Sequence, residues 1–322
     1  MLVSKSLVLA GIIAILLSTI ATYFWIHFSK RESIGQEIRE EGNKAHYKKQ
    51  GTPTMGGVAF TAVFTVLLFA FGGFNAWSAL IAICTLGFAG IGFLDDLEKV
   101  MKHESEGLTP RQKLILQFAF SAILLAVVYV LDPALGIQKM PFFGWEWHLG
   151  ILSIPLLAFI VVGTVNATNL TDGLDGLCGG VSLPVFITLA LLNIGTAGNK
   201  PAASVAAVLM AGSLIGFLFF NSHPASLFMG DTGSMAIGGA LTAILMVMNR
   251  LPFLIVLGGL YFIEALTVIM QVTYYRHTGG KRIFLMTPIH HHFELKGYPE
   301  EKITAAFSLI SVLLCLLTYQ IW

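Results

Sequence analysis

The chain has 322 residues, of which 56% are hydrophobic and only 11% are charged, and its formal net charge is +1. Soluble domains carry about 25% charged residues, so this composition excludes a soluble globular protein and indicates an integral membrane protein. The small net charge gives no reason to expect a nucleic-acid partner. Three cysteines, an odd number, argue against a disulfide framework, and we expect all three to be packing residues.

Ten apolar segments approach or exceed the length that crosses a bilayer as a helix, which is about 20 residues. They cover 3–27, 57–74, 76–94, 114–131, 149–166, 179–195, 201–220, 234–249, 252–275 and 303–321. The first segment is too long for the core of a signal peptide, so we expect it to be retained. The sequence therefore predicts an all-α integral membrane protein, with a single polytopic domain over residues 1–322.

Basic residues fall mainly on one side of these spans. The loops 28–56, 95–113, 167–178, 221–233 and 276–302 hold 15 of the 19 lysines and arginines. The positive-inside rule assigns these loops to the cytoplasm and places both termini outside. The same side holds 15 of the 18 acidic residues, the exceptions being Asp132, Glu146 and the intramembrane Glu264. Every acidic motif therefore opens toward the cytosol.

The first polar motif in chain order is Gly-Thr-Pro-Thr-Met-Gly-Gly at 51–57, which follows Lys44, Lys48 and Lys49. It lacks the Gly-Lys-Ser/Thr of a P-loop. Backbone N–H groups beside lysines can bind phosphate. A re-entry turn flanked by cytosolic lysines explains the motif equally well.

Two adjacent carboxylates, Asp95 and Asp96, end the third span. Adjacent carboxylates repel each other, so the pKa of one should rise unless a cation is shared. Lys99 lies four residues after Asp95, which allows an ion pair on a helix. The motif fits a metal or proton-transfer site, and also an ordinary solvated helix end.

The fourth span is preceded by Thr109-Pro110-Arg111-Gln112. A threonine followed three residues later by glutamine predicts a capping box, and proline suits the first helical position. We therefore expect a structural role for Thr109, and a helix that lets Lys113 face the cytosolic site.

Polar side chains recur every third residue after the fifth span, at Asn166, Asn169, Asp172 and Asp175. On a helical turn this spacing makes a ladder that rotates slowly across one face. Gly173 lies beside these acids and lets a ligand approach the backbone. The ladder suits hydroxyl groups, the edge of a nucleobase or a metal, and a polar loop with Asx turns is the alternative.

The run Phe-Met-Gly-Asp-Thr-Gly-Ser at 228–234 leads into the eighth span. Asp231 should lie near the N-terminus of that helix, where backbone N–H groups and the helix dipole favour anions. A simple N-cap is the alternative for this residue.

The last cytosolic loop contains Thr-Pro-Ile-His-His-His-Phe-Glu at 287–294. Three consecutive histidines do not match zinc spacing, but protonated imidazoles can pair with a diphosphate. A polar loop is the alternative. Glu264 lies within the ninth span, where an ionisable residue suggests function, although a hydrogen-bonded structural carboxyl fits as well.

The acidic motifs share one membrane face, and such a cluster is costly unless a cation lies in it. A hard divalent ion bound to phosphate oxygens is the simplest candidate. The residues thus indicate an enzyme that works where lipid meets water, with its catalytic groups in cytosolic loops. We expect five aspartates to converge around a single pocket at the inner leaflet: Asp95, Asp96, Asp172, Asp175 and Asp231.

Taken together, these motifs resemble the polyprenyl-phosphate N-acetylhexosamine-1-phosphate transferases. The resemblance extends over residues 51–294. The Asp-Asp pair, the Asn-x-x-Asn-x-x-Asp ladder and Gly-Asp-Thr-Gly-Ser are shared across that superfamily. The runs at 51–57 and 288–294 are more particular to the muramoyl-pentapeptide branch.

The resemblance implies a Mg²⁺-dependent homodimer in the bacterial plasma membrane, with its active site on the cytoplasmic face. Its substrates would be UDP-N-acetylmuramoyl-pentapeptide and undecaprenyl phosphate, and its products UMP and lipid I. The implied catalytic residues are Asp95, Asp96 and Asp231, with Asp231 and Asp96 holding the metal. The implied substrate-binding residues are Lys48, Thr52, Lys99, Lys113, Asn166, Asn169, Asp172, Asp175, Phe228, His290 and His291.

We expect direct attack by the lipid phosphate, with Asp95 freeing or orienting it. A phosphoryl-enzyme intermediate on Asp96 is the alternative mechanism. A sister transferase that uses UDP-N-acetylglucosamine and a cation-coupled transporter are the alternative functions. A transporter would place its acids near the midplane between broken helices, whereas these acids cluster at one face.

Overall fold

The computed structural model describes residues 2–35, 49–102, 104, 106–142, 144–194 and 200–322. The described chain is mostly helical. Its helices are α1 (Leu2–Arg31), α2 (Gly57–Gly72), α3 (Ala76–Lys102), α4 (Pro110–Leu131), α5 (Ser153–Thr171), α6 (Leu177–Ile194), α7 (Pro201–Asn221), α8 (Gly230–Val247), α9 (Leu254–Leu257), α10 (Gly259–His277), α11 (Ile289–Leu295) and α12 (Glu300–Ile321). Strands β1 (Ile137–Lys139) and β2 (Glu146–His148) form an antiparallel hairpin between α4 and α5.

Eight helices in the described part of the chain are long and apolar enough to cross a membrane. A ninth candidate is the pair α9 and α10, which meet at an angle of 80°. Helix α2 has 16 residues, slightly fewer than the usual range of about 17–25. The protein is therefore an all-α, multi-pass membrane protein. Ten spans with both termini outside stay a prediction.

Helix α8 forms the centre of the bundle, and every residue from Thr232 to Val247 is buried. It packs against α3, α5 and α2. The shortest predicted span is thus the most enclosed helix. Its small residues explain this position, because they let neighbouring helices come close. The bundle therefore surrounds the helix whose first turn carries Asp231.

Helices α2 and α3 both approach the N-terminal end of α8 closely, and each does so at a glycine. A Cβ atom on Gly57 of α2 would lie 2.1 Å from the backbone nitrogen of Gly233. A Cβ atom on Gly92 of α3 would lie 2.3 Å from the carbonyl oxygen of Asp231. No larger residue fits at either position without moving a helix, so these contacts fix α2 and α3 against the start of α8.

Two local predictions are confirmed. Thr109 caps α4 with a reciprocal capping box: its Oγ1 accepts from the Gln112 backbone, and Gln112 Oε1 accepts from the Thr109 backbone at 2.9 Å. The cysteines are buried and free, as expected for packing residues: Cys84, Cys178 and Cys315. The capping box determines where α4 begins, and hence where Lys113 lies on its first turn.

Candidate active site

The N-terminus of α8 is held by a carboxylate from α3. Asp96 Oδ1 accepts from the backbone N–H of Asp231 at 3.0 Å, and its Oδ2 accepts from the N–H and hydroxyl of Thr232 at 2.8 and 2.7 Å. Gly230 has a φ of +74°, and a Cβ atom there would lie 2.6 Å from Asp96 Oδ2. Asp96 therefore satisfies the free N–H groups of a helix start and fixes the residue that follows Gly230.

Three carboxylates and two lysines meet at this helix start. Asp95, Asp96 and Asp231 have ligand oxygens that all lie within 4.8 Å of one another. Lys99 Nζ lies 2.6 Å from Asp95 and 3.2 Å from Asp231. Lys113 donates to Asp231 and lies 3.6 Å from Asp95. Of the five aspartates expected to converge, three do so here, together with the two lysines.

Helix α5 contributes two amides near the cluster, and only one of them contacts a carboxylate. Asn169 Nδ2 donates to Asp231 Oδ1 and to Ser234 Oγ, both at 2.9 Å. Asn166 bonds instead to Gln117 of α4, with its Nδ2 2.6 Å from Gln117 Oε1. Asn169 therefore orients the central carboxylate directly, whereas Asn166 links α5 to the helix that carries Lys113.

The turn between α5 and α6 brings a fourth carboxyl to the site. Asp172 is half-buried where α5 ends. Burial raises the pKa of Asp172 well above its usual value, and the negative charges of Asp231 and Asp96 raise that pKa further. Asp172 therefore stays protonated to a higher pH than an ordinary aspartate.

Asp175 lies in a second, neighbouring group. Its Oδ1 is 2.8 Å from Lys49 Nζ, and its Oδ2 is 3.1 Å from His223 Nδ1. Glu300 completes the group, with an oxygen 2.6 Å from Lys49 Nζ. Burial lowers the pKa of Lys49, but hydrogen bonds to Asp175 and Glu300 outweigh that effect and raise it. The expectation of one pocket with five aspartates is thus only partly met, because Asp175 pairs elsewhere.

Sequence reasoning missed three members of this second group: Lys49, His223 and Glu300. The predicted lysine, Lys48, lies outside the described residues. Two lysines that are adjacent in sequence give no signal for which one pairs with the acids. His223 and Glu300 belong to distant parts of the chain, so only the fold brings them to Asp175.

The motif at 51–57 pairs with the loop that precedes α8. Gly56 N donates to the Phe228 carbonyl and Gly57 N to the Met229 carbonyl, both at 2.9 Å. Phe228 N donates in turn to the Pro53 carbonyl at 2.8 Å. Phosphate binding through the N–H groups of Gly56 and Gly57, one of the two interpretations of this motif, does not apply, because both groups donate to carbonyls of the 228–229 segment. Thr52 lies half-buried at the edge of this pairing.

The histidines of α11 differ sharply in exposure. His290 is fully buried, and its Nδ1 lies 3.1 Å from Glu264 Oε2 on α10. His291 is half-buried, and its Nδ1 lies 2.9 Å from Glu294 Oε2. His291 thus remains the more accessible of the two predicted substrate-binding imidazoles.

Comparison with known proteins identifies the family. Residues 78–249 match the sequence model of glycosyl transferase family 4, and residues 49–60 match signature 1 of the phospho-N-acetylmuramoyl-pentapeptide-transferases. The chain is 43% identical over 314 residues to the phospho-N-acetylmuramoyl-pentapeptide-transferase of Heliobacterium modesticaldum, covering 96% of this chain and 97% of the relative. This chain belongs to the phospho-N-acetylmuramoyl-pentapeptide-transferase family.

Two further relatives with the same name match at similar levels. The protein from Clostridioides difficile is 41% identical over 314 residues, covering 98% of this chain and 97% of the relative. The protein from Clostridium novyi is 42% identical over 310 residues, covering 96% and 94%. The family signature at 49–60 includes Lys49, and it includes the glycines that pair with the loop before Asp231.

The carboxylates at the start of α8 fit a divalent metal. The donor atoms are carboxylate oxygens, the ligands that Mg²⁺ prefers. Asp231 and Asp95 each direct Oδ2 at the ammonium groups of two lysines, while Asp96 already accepts three hydrogen bonds from α8. Asp231 and Asp95 are therefore better placed to ligate a cation than Asp96.

Proposed function

We propose that this protein transfers phospho-N-acetylmuramoyl-pentapeptide from its UDP-linked precursor to undecaprenyl phosphate, giving UMP and lipid I. The observation that carries this proposal is the convergence of three carboxylates and two lysines at one end of a membrane bundle. The family membership specifies the sugar and the peptide. The proposal includes a homodimer in the plasma membrane, with ten spans and its site facing the cytoplasm.

Charge neutralisation is the first requirement of this reaction. Both substrates carry phosphate anions, and phosphoryl transfer depends mainly on positioning and on offsetting charge. Lys99 and Lys113 already point their ammonium groups at Asp231. Long lysine side chains can turn from a carboxylate to a diphosphate oxygen without backbone movement. We therefore assign both lysines to the diphosphate of the nucleotide sugar.

Asp231, with Asp95 beside it, is proposed to hold Mg²⁺. When bound, the ion would polarise the phosphoryl oxygens and stabilise the leaving UMP. Asn169 keeps the Asp231 carboxylate oriented, and Asp96 keeps the first turn of α8 in place. The Asp231→Asn variant should lose about 10²–10⁴-fold in rate. Near-full turnover with unchanged Mg²⁺ dependence would contradict the metal assignment.

Asp95 is proposed to orient the attacking lipid phosphate. Its Oδ1 is held by the backbone N–H of Leu108 at 3.0 Å, which leaves Oδ2 facing the lysines. A phosphate monoester dianion is already a nucleophile at pH 7, so direct attack needs no covalent help from Asp96. Release of UMP without lipid phosphate, with label left on the protein, would instead establish a phosphoryl-enzyme intermediate.

An apolar cavity supports a polyprenyl acceptor. It has a volume of about 670 Å³ and lies among α5, the bent pair α9–α10 and the β1–β2 hairpin. Its lining is almost entirely apolar and includes Leu156, Ile160, Phe262 and Ile269. Along α5, the lining residues Leu156 and Ile160 precede Asn166 by ten and six residues, a rise of about 15 and about 9 Å at 1.5 Å per residue. A lipid chain lying along α5 would thus bring its phosphate to the site.

Purified protein supplied with undecaprenyl phosphate and Mg²⁺ tests the proposal. We expect UMP release with UDP-N-acetylmuramoyl-pentapeptide and little with UDP-N-acetylglucosamine. The reverse preference would establish the sister transferase activity. No UMP from either sugar, together with ion-driven uptake by proteoliposomes, would establish a transporter.

A further inference from the structure

A fully buried acid–base pair lies beside the site. His290 Nδ1 is 3.1 Å from Glu264 Oε2, and neither side chain exposes any surface. Within the described part of the chain, His290 is the ion-pair partner of Glu264. Because a carboxylate oxygen can only accept, a charged Glu264 keeps a proton on Nδ1 of His290. The ring is thereby fixed in orientation, with Nε2 as its remaining functional atom.

The Nε2 edge of His290 faces the turn that carries Asp172. A Cβ atom on Gly173 would lie 2.2 Å from His290 Nε2 and 2.8 Å from its Cε1, so only glycine admits the ring here. Among the described residues, neither His290 Nε2 nor Glu264 Oε1 has a hydrogen-bond partner. The centroid of the neighbouring His291 ring lies 4.2 Å away. The pair therefore contacts the site through the turn, not through the carboxylate cluster.

We infer that Glu264 is a positioning residue that fixes the tautomer and orientation of His290, whose Nε2 edge in turn sets the position of the Asp172–Gly173 turn. Helix α11 has only seven residues, and a short helix alone does not hold a ring in one orientation. Glu264 supplies that restraint from the bundle, because α10 is anchored in it. This inference rests on the proposed function, since the turn matters there as part of the nucleotide-sugar site.

The chemistry of residue 264 separates positioning from packing. Glutamine has nearly the same shape as glutamate, so Glu264→Gln preserves the volume of the buried side chain. Its amide can donate as well as accept a hydrogen bond, so glutamine removes the charge that selects a proton on Nδ1 and allows the proton to distribute over both ring nitrogens. A role in packing alone predicts no effect of this change on the ring, whereas positioning through the tautomer predicts a clear one.

A double-mutant cycle on UMP release provides the kinetic test. We expect Glu264→Gln and His290→Gln each to lower kcat/KM for the UDP-linked substrate by about 10–100-fold, as partners behind a functional group typically do. The double variant should be no worse than His290→Gln, because Glu264 acts only through His290. If the kcat/KM losses of the two single variants multiplied in the double variant, the inference would be overturned. Absence of UMP release by the wild type would contradict the proposed function instead.

A spectroscopic measurement tests the same inference without turnover. ¹⁵N NMR of histidine-labelled protein in lipid, with His290 assigned by subtracting the His290→Gln spectrum, reports the protonated ring nitrogen. We expect a proton on Nδ1 in the wild type and a shift toward Nε2 in Glu264→Gln. An unchanged tautomer in that variant would overturn the inference.

A backbone variant addresses the contact with the turn. Gly173→Ala should displace the His290 ring and reproduce the kinetic loss of His290→Gln. Gly163→Ala on α5 is the matched control, since a Cβ atom there meets nothing within 4 Å. Full activity of Gly173→Ala would overturn the inference even if Glu264→Gln failed to fold.

Discussion

At the scale of single residues, the acids of the site divide into distinct physical tasks. Asp96 is bound by three donors from the start of α8 and serves chiefly to hold that helix. Asp231 contacts the ammonium groups of Lys99 and Lys113 and accepts a hydrogen bond from the Asn169 amide, and its carboxylate is available to a cation. Asp172 faces other carboxylates and is disfavoured as an anion. Identical side chains thus acquire different roles from their neighbours.

Removing the Asp96 carboxylate should destabilise the fold as well as the activity. Asp96→Ala leaves three donors of α8 without their acceptor, and an unsatisfied buried donor costs about 1–3 kcal/mol. We expect a lower free energy of unfolding in detergent and a loss of UMP release. Thr232→Val removes one of the three donors and should cost about 1 kcal/mol. Wild-type stability of Asp96→Ala would show that the helix start is held by other groups.

Replacing Asp172 should stabilise the protein in a pH-dependent way. The fold raises the pKa of Asp172 above 3.8, so its ionisation opposes folding once the pH exceeds that value. The penalty is absent at lower pH and grows as the pH rises toward the folded-state pKa. Asp172→Asn should therefore raise the thermal midpoint at pH 8 by about 2 °C or more, and less at pH 4. A midpoint below that of the wild type at pH 8 would contradict this electrostatic interpretation.

At the scale of elements, the site depends on how closely α3 approaches α8. The Gly92 contact with the Asp231 carbonyl brings the end of α3, with both of its carboxylates, against the first turn of α8. The motif at 51–57 braces the same turn from the other side by pairing with residues 228–229. Helix packing, braced by this loop pairing, thus fixes the spacing of the acids.

Gly92→Ala should separate these two helices. The added Cβ atom would lie 2.3 Å from backbone oxygen, and overpacking of this kind costs about 1–3 kcal/mol. We expect lower stability and a loss of UMP release. Gly90→Ala lies two residues away on the same helix, where a Cβ atom meets nothing within 4 Å, and should behave as the wild type. Equal effects of both variants would rule out the specific contact as the cause.

At the scale of the whole molecule, the bundle combines a charged end and an apolar side. The carboxylates and lysines lie at one end of α5, and the cavity bounded by α9 and α10 lies toward the other. This arrangement matches a substrate with a phosphate head and a long hydrocarbon chain. The two parts of such a lipid can therefore be recognised by different physical means.

Filling the cavity should raise the KM for the lipid substrate alone. Ala265→Trp places a large side chain in the lining, and we expect the KM for undecaprenyl phosphate to rise about tenfold, equivalent to about 1.4 kcal/mol. The KM for the UDP-linked substrate should not change. Met270→Trp, at an exposed position outside that lining, is the control. A rise in both KM values would indicate a general distortion.

Sequence reasoning was most successful where the signal is local. The capping box of Thr109, the pairing of Lys99 with Asp95 and the placement of Asp231 in a first helical turn follow from spacing within a few residues. Glu300, a partner of Asp175, lies 125 residues away along the chain. His290, the partner of Glu264, lies 26 residues away. Such pairings depend on how helices pack, so one sequence could not reveal them.

The 80° bend between α9 and α10 has a consequence for how the acceptor arrives. A span that turns aside leaves the flank of the bundle open to the surrounding bilayer, and α10 presents exposed apolar side chains there, among them Ile263, Leu266 and Ile269. A long isoprenoid can then enter sideways, by diffusion within the leaflet, while its tail never passes through water. The encounter becomes a search in two dimensions, governed by the density of carrier in the membrane rather than by its negligible solubility.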